Sequence, residues 1–222
     1  MKTNQEYKNE ALAALKGNWA PALVASIAVT ICVAVCTGPA FVSNMAVMGQ
    51  FPAQISLEMI QLLSWIGMPF TILFMYPLLL GYTVAHRNLL EGDADVTSNT
   101  FGIAFSGWLR NVWAAFLMYL FTILWTFLLI IPGIIKGLAY SLTPYILKDY
   151  PELTANQAIN LSQKMMKGHK FDLFYLGLSF IGWLLLGMFT LGIGYIWLMP
   201  YIYTTYAAFY QDVKKEYLTT NN

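Results

Sequence analysis

The stretch IIPGIIKGLAYSLTPYILKDYPEL, Ile130–Leu153, follows an almost unbroken apolar run and holds three prolines, two lysines and an aspartate. It reads as a tight turn at Pro132-Gly133, then a short apolar helix with Lys136 near its start. A bend at Pro144 and a stop at Asp149 and Pro151 follow, because proline removes a backbone donor and resists the helix interior. A chain that turns and becomes apolar again so soon is returning into a medium without water.

The composition agrees. Of 222 residues, 58% are hydrophobic and only 10% are charged. A soluble domain carries roughly 25% charged residues. With no water to satisfy the backbone, such runs must be helical, so the expected fold is all-α and polytopic. A net charge of +1 gives no basis for nucleic-acid binding. Cys32 and Cys36 sit one helical turn apart in an apolar run, a poor geometry for a disulfide, and they read as small apolar residues.

Six apolar segments stand out: Trp19–Met48 (broken at Thr37–Pro39), Met59–Ala85, Asn111–Ile131, Gly133–Leu147, Phe171–Phe189 and Gly194–Tyr210. A bilayer core needs roughly 20 helical residues, so the fourth and sixth are short. With six crossings and both termini inside, Lys2, Lys8, Lys16, Arg87, Arg110, Lys148, Lys164, Lys167, Lys170, Lys214 and Lys215 face the cytoplasm, and Lys136 alone does not. This obeys the positive-inside rule. The outer connections are then Gly49–Glu58, the Pro132-Gly133 turn and Thr190–Gly194. The polar N-terminal stretch has no signal-peptide pattern and is expected to stay on the cytoplasmic side.

Within this single membrane domain a three-part repeat is visible, over about 3–90, 98–150 and 154–215. TNQEYKNEALAALKGNW from Thr3 and TANQAINLSQKMMKGHKF from Thr154 share a capping box, an Asn six residues on, and a Lys-Gly end. The middle copy, SNTFGIAFSGWLRNVW, is looser. Each copy leads into a hairpin whose second span carries a proline, Pro77, Pro144 or Pro200. The expected unit is an amphipathic helix on the inner membrane surface followed by two spans. Ile159, Met165 and Met166, with Ala158 and Leu161, hold the third such helix to lipid.

The segments IIPGII, AYSLTPYILKDYPELTANQAI, LSQKMMKGHK, LSFIGW, TLGIG and PYIYTTYAAFY together resemble an uncharacterised family of integral membrane proteins common in Gram-positive bacteria. The resemblance covers about Leu128–Tyr210, with LKGNW at Leu15–Trp19 as a weaker match. It implies a bacterial cytoplasmic membrane and lends no activity. Ser162…Lys167-Gly168 is also similar to a pattern in the membrane region of glycerophosphoryl diester phosphodiesterases, whose catalytic domain this chain lacks.

No nucleophile elbow, metalloprotease helix or phosphate loop is present, and no metal or cofactor is expected. His86 and His169, beside Arg87 and Lys170, read as interfacial basic residues. Lys136, Tyr140 and Thr143 share one helix face and form the candidate ligand-binding stripe, since an ionisable residue within a span marks a functional site. The alternative is a lysine that snorkels to the outer headgroups. Pro132, Gly133, Pro144, Asp149, Ser162, Lys167, Gly168 and Lys170 are the expected structural or interfacial residues. Asp149 opposes its own helix dipole and is expected to pair with Lys167, His169 and Lys170. The expected function is non-enzymatic: a protein that binds membrane lipids or assists other membrane proteins. The alternative is a small transporter or channel for an anionic or amphipathic substrate.

Overall fold

A computed structural model describes residues 1–48 and 56–221, and among these the chain is helical, with no strand. The elements are α1 (Asn4–Leu15), α2 (Trp19–Val47), α3 (Leu57–Phe70), a π-helical turn (Thr71–Met75), α4 (Tyr76–Leu90), α5 (Val96–Phe105) and α6 (Trp108–Leu128). They continue with α7 (Ile130–Tyr140), α8 (Thr143–Asp149), α9 (Ala155–Met165), α10 (Lys170–Leu178), α11 (Ile181–Phe189) and α12 (Gly194–Asn221). The expected outer connection at Gly49–Glu58 lies, as far as residue 55, outside the described residues.

Among the described residues, four stretches are long and apolar enough to cross a membrane: Trp19–Gly38, Trp108–Leu128, Ile130–Asp149 and Lys170–Phe189. The other two expected segments are also helical. Met59–Ala85 runs through α3, the π turn and α4, and Gly194–Tyr210 is the first part of α12. Large apolar side chains stand exposed along α6 and around the α11–α12 turn, reaching 93% at Phe127 and 94% at Leu191. An exposed apolar surface of this extent requires an apolar surrounding. The fully buried side chains gather elsewhere, in α8, α9 and the second half of α12, among them Tyr145, Ile146, Leu147, Ile159, Met166, Phe209 and Tyr210.

Local signals set the helix ends. Thr3 and Thr154 each form a complete capping box, with Glu6 and Gln157. Asp95 caps α5 by accepting from the Ser98 N–H at 3.2 Å. Gly17, Gly107 and Gly168 then turn the chain in the left-handed region, where a Cβ is disfavoured, before α2, α6 and α10. The expected break in the quoted stretch moves by three residues. The turn is at Leu129, which is extended, while Pro132 and Gly133 lie in the first turns of α7. Proline is tolerated there because that N–H lacks a helical partner anyway. Gly133 lets α7 approach α6 closely, since a Cβ would overlap Thr126. The helix breaks again at Ser141–Leu142, with Pro144 near the start of α8, and ends at Asp149 as expected.

The amphipathic helices differ from expectation. Their apolar faces dock on protein. Ala155, Ala158, Ile159, Ser162 and Met165 of α9 are buried, packed against α6, α7 and α8, and the Ser162 hydroxyl donates to the Ala139 carbonyl at 2.7 Å. Tyr7, Ala11 and Leu15 of α1 are buried in the same way, against α12 and α4. The physical reason is competition: an apolar face gains as much from a helix neighbour as from lipid, and Ser162 gains a hydrogen bond that lipid chains cannot give. The first turns of α7 also lie beside the α9–α10 corner, where Ile131, Ile134 and Ile135 share a groove of about 370 Å³ with Gly168, Lys170 and Phe171.

α1 is clamped to α12 by Asp212, whose carboxylate accepts from the Tyr7 hydroxyl at 2.6 Å and the Lys2 backbone N–H at 2.9 Å. Burial pushes the Asp212 carboxyl up, but these donors and the nearby N-terminal and Lys2 charges outweigh it and hold it below its ordinary value. A depressed carboxylate contributes stability at neutral pH that is lost as pH falls through its folded value. The expected outcome is that spin labels at Asn9 and Lys215 report a broadened distance distribution in acid. Asp212→Asn should give the same broadening at neutral pH, with a loss of about 1 kcal/mol after solvent screening.

α4 and α5 pack closely, because Gly81 meets the Thr100 carbonyl and the Ala104 backbone with no room for a Cβ. Gly81→Ala should lower the thermal midpoint in detergent by an overpacking cost of about 1–3 kcal/mol.

Candidate functional site: a tyrosine-lined cleft beside a buried charge cluster

A cleft of about 630 Å³ lies between α7, α8, α10 and α12, with Thr83 of α4 at one wall. Gly137, Leu138, Leu142, Leu173, Phe174, Leu178 and Met199 make it apolar, and Tyr145, Tyr203 and Tyr206 give it aromatic walls. The helix break at Ser141–Leu142 places Ser141 and Pro144 on this surface instead of closing it. Gly177 leaves space beside α12, its nearest neighbour being the Tyr206 hydroxyl. Two smaller clefts adjoin it. One, of about 260 Å³, shares Thr83, Gly137 and Pro144; the other, of about 380 Å³, shares Met199 and Tyr203. Cavities of roughly 300–1,000 Å³ with mainly apolar walls and few polar groups are the usual sites for small molecules and cofactors.

Next to the cleft, α4, α8 and α12 meet at a carboxylate. Asp149 accepts from Arg87 on one oxygen, and from the Tyr210 hydroxyl at 2.6 Å and the Lys214 ammonium at 2.5 Å on the other. The Asp149 and Arg87 side chains are 9% and 10% exposed. Arg87 also reaches Glu91 at 3.4 Å, and Arg110 donates to the Leu147 and Pro151 carbonyls at the end of α8. This corrects the expected pairing with Lys167, His169 and Lys170. His169 faces Asp172 at 3.4 Å and Glu216 at 3.3 Å. The acid at the α8 C-terminus is stabilised by cations from helices distant in sequence, which no local pattern announces. His86, expected as an interfacial basic residue, is fully buried in protein, with Nδ1 2.8 Å from the Tyr82 carbonyl and its ring beside Tyr82 and Tyr203.

The α6–α12 portion carries most of both features. The model of the family described as "Protein of unknown function (DUF975)" matches residues 110–217. The match spans just under half of the chain and agrees with the resemblance read from Leu128–Tyr210. No curated protein and no solved structure matches the chain. The DUF975 region supplies the whole lining of the main cleft except Thr83, and Asp149, Tyr210 and Lys214 of the charge cluster; Arg87 comes from outside it.

The expected stripe of Lys136, Tyr140 and Thr143 does not form one site. Lys136, expected at the outer edge, donates to Gln163 of α9 at 2.9 Å and lies over the Trp125 ring at 5.0 Å. Tyr140 is buried against Phe121 and lines only the smaller cleft shared with α6. Thr143 is fully buried at the start of α8. The helix break between Tyr140 and Thr143 ends the periodicity that joined them. Among the expected structural residues, Pro144 lines the DUF975 cleft and Lys170 the neighbouring groove. Ser162 ties α9 to α7, Gly168 makes the turn into α10, and Lys167 is exposed. Sequence reasoning missed Arg87, Tyr145, Tyr203, Tyr206 and Lys214 as site residues. The tyrosines at helical spacing in PYIYTTYAAFY were the available signal.

Removing one partner of a buried ion pair leaves an uncompensated charge. Asp149→Ala should therefore destabilise by about 3–5 kcal/mol. The Asp149→Ala/Arg87→Met double variant should recover part of that loss in the detergent melting midpoint.

Proposed function

We propose that this chain is a non-enzymatic membrane protein that seats an amphipathic molecule, in the first place a membrane lipid, in the cleft between α7, α8, α10 and α12. The observation that carries this reading is the cleft itself: about 630 Å³, apolar, walled by tyrosines, and bordered by Phe174 and Leu178, which are 39% and 40% exposed. Tyrosine offers an apolar body with a polar tip, the pattern suited to a molecule with a chain and a head.

The proposal includes a placement. The chain is multi-pass in a bacterial cytoplasmic membrane, with both termini on the cytoplasmic side. The positive-inside distribution of Lys and Arg supports the side. The clamp between α1 and the C-terminal part of α12 supports a shared side for the two termini. The left-handed glycines 17, 107 and 168, each joining a short docked helix to a long apolar one, support a unit used three times.

The test is native mass spectrometry of the chain released from membrane-like particles. Wild type should retain lipid. Leu178→Trp fills the mouth of the cleft from an exposed position and should cut retained lipid several-fold while the melting midpoint stays within about 0.5 kcal/mol of wild type. Equal retention in both would overturn the cleft as the site.

A further inference from the structure

The polar end of the cleft narrows what the site takes. Tyr145 lines the cleft and its ring is held by stacking on Tyr210, with centroids 4.5 Å apart and planes 13° apart. Its side chain is fully buried, and its hydroxyl has no hydrogen-bond partner among the described residues. A hydroxyl in such a place normally has a partner, whether protein, water or ligand. The electrostatic neighbours of Tyr145 are Tyr203, Arg87 and Tyr206, of which Tyr203 and Tyr206 line the same cleft.

Two features choose the chemistry of that partner. First, the Tyr145 hydroxyl is free to donate, and the one charge acting on it is the Arg87 guanidinium, itself with a buried, unpartnered Nε–H. An oxygen acceptor for that hydroxyl is favoured there over an ammonium, which the guanidinium would repel. Second, the Arg87 charge is already matched by Asp149, with Glu91 beside it, so the end of the cleft does not require an anion. A neutral carbonyl next to an alkyl chain fits both conditions.

Resting on the cleft reading above, we propose that the Tyr145 hydroxyl donates a hydrogen bond to the acyl carbonyl oxygen of an amphiphile whose chain lies along the apolar wall. The same neutral carbonyl occurs in an ester-linked phospholipid and in the protonated form of a free fatty acid, and the experiment separates these sources.

The test measures affinity of the purified full chain in detergent for three probes with one chain length: an ester-linked phospholipid, its ether-linked analogue with the same headgroup, and the free fatty acid. Wild type should prefer the ester over the ether by about fivefold, on the order of what one neutral hydrogen bond supplies. Tyr145→Phe keeps the ring and its stack and removes a hydroxyl with no protein partner. It should remain folded, bind both phospholipids, and lose the preference. A fatty acid that binds more tightly than the ester, and does so only with Tyr145 present, supports the proposal and assigns the carbonyl to the free acid. Equal affinity of wild type for ester and ether overturns the carbonyl contact, as expected if a water satisfies the hydroxyl, and leaves the cleft reading standing. Binding of none of the three probes overturns both.

Discussion

The Asp149 carboxylate is the constraint on which the rest of the packing depends. It ends α8, where the helix dipole disfavours negative charge, and it is nearly withdrawn from water. It persists because Arg87 of α4 and Tyr210 and Lys214 of α12 converge on it. Three helices far apart in sequence are thereby fixed at one point. The Tyr145–Tyr210 stack follows from that registration, since Tyr145 sits one helical turn before Asp149 and Tyr210 is itself a partner of the carboxylate. So does the cleft, whose far wall is the face of α12 carrying Met199, Ile202, Tyr203 and Tyr206.

A second consequence concerns the short helices. α1, α5 and α9 look alike in sequence logic: a cap, a half-apolar face, a left-handed glycine. Each uses its face to close the bundle. α9 covers α6, α7 and α8; α5 sits against α4 at Gly81; α1 covers α12 and α4. The exposed apolar surface is thus left mainly to α2, α3, α6, α10, α11 and the ends of α7 and α12, while the polar contacts gather where α4, α8 and α12 meet. This segregation makes an apolar cleft with a hydroxyl-bearing end a natural product of the fold.

The second and third clefts extend this picture without adding charge. Ser26, Tyr82 and Tyr195 border one of them and Tyr76, Tyr119 and Thr122 the other. The polar groups nearby are already engaged, as in the Ser26–Tyr82 hydroxyl pair at 2.6 Å. Tyr145 differs in keeping its hydroxyl unengaged inside the DUF975 region, and that difference is what distinguishes the main cleft from its neighbours.

The sequence by itself determined the elements whose causes are local. Apolar runs without charge dictate helices in lipid, capping boxes start α1 and α9, glycines end them, and Pro144 breaks the segment at the start of α8. It also marked Asp149 as a residue in need of a cation. Only the tertiary structure decided which cation, because Arg87 and Lys214 lie 62 and 65 residues away and carry no local signature of that meeting. For the same reason it decided that α9 turns inward, that Lys136 is tied to Gln163, and that Tyr140 and Thr143 part company at a helix break. Periodicity places residues on a face; what that face meets depends on packing energies summed over the whole bundle, and these are not written in any one stretch of the chain.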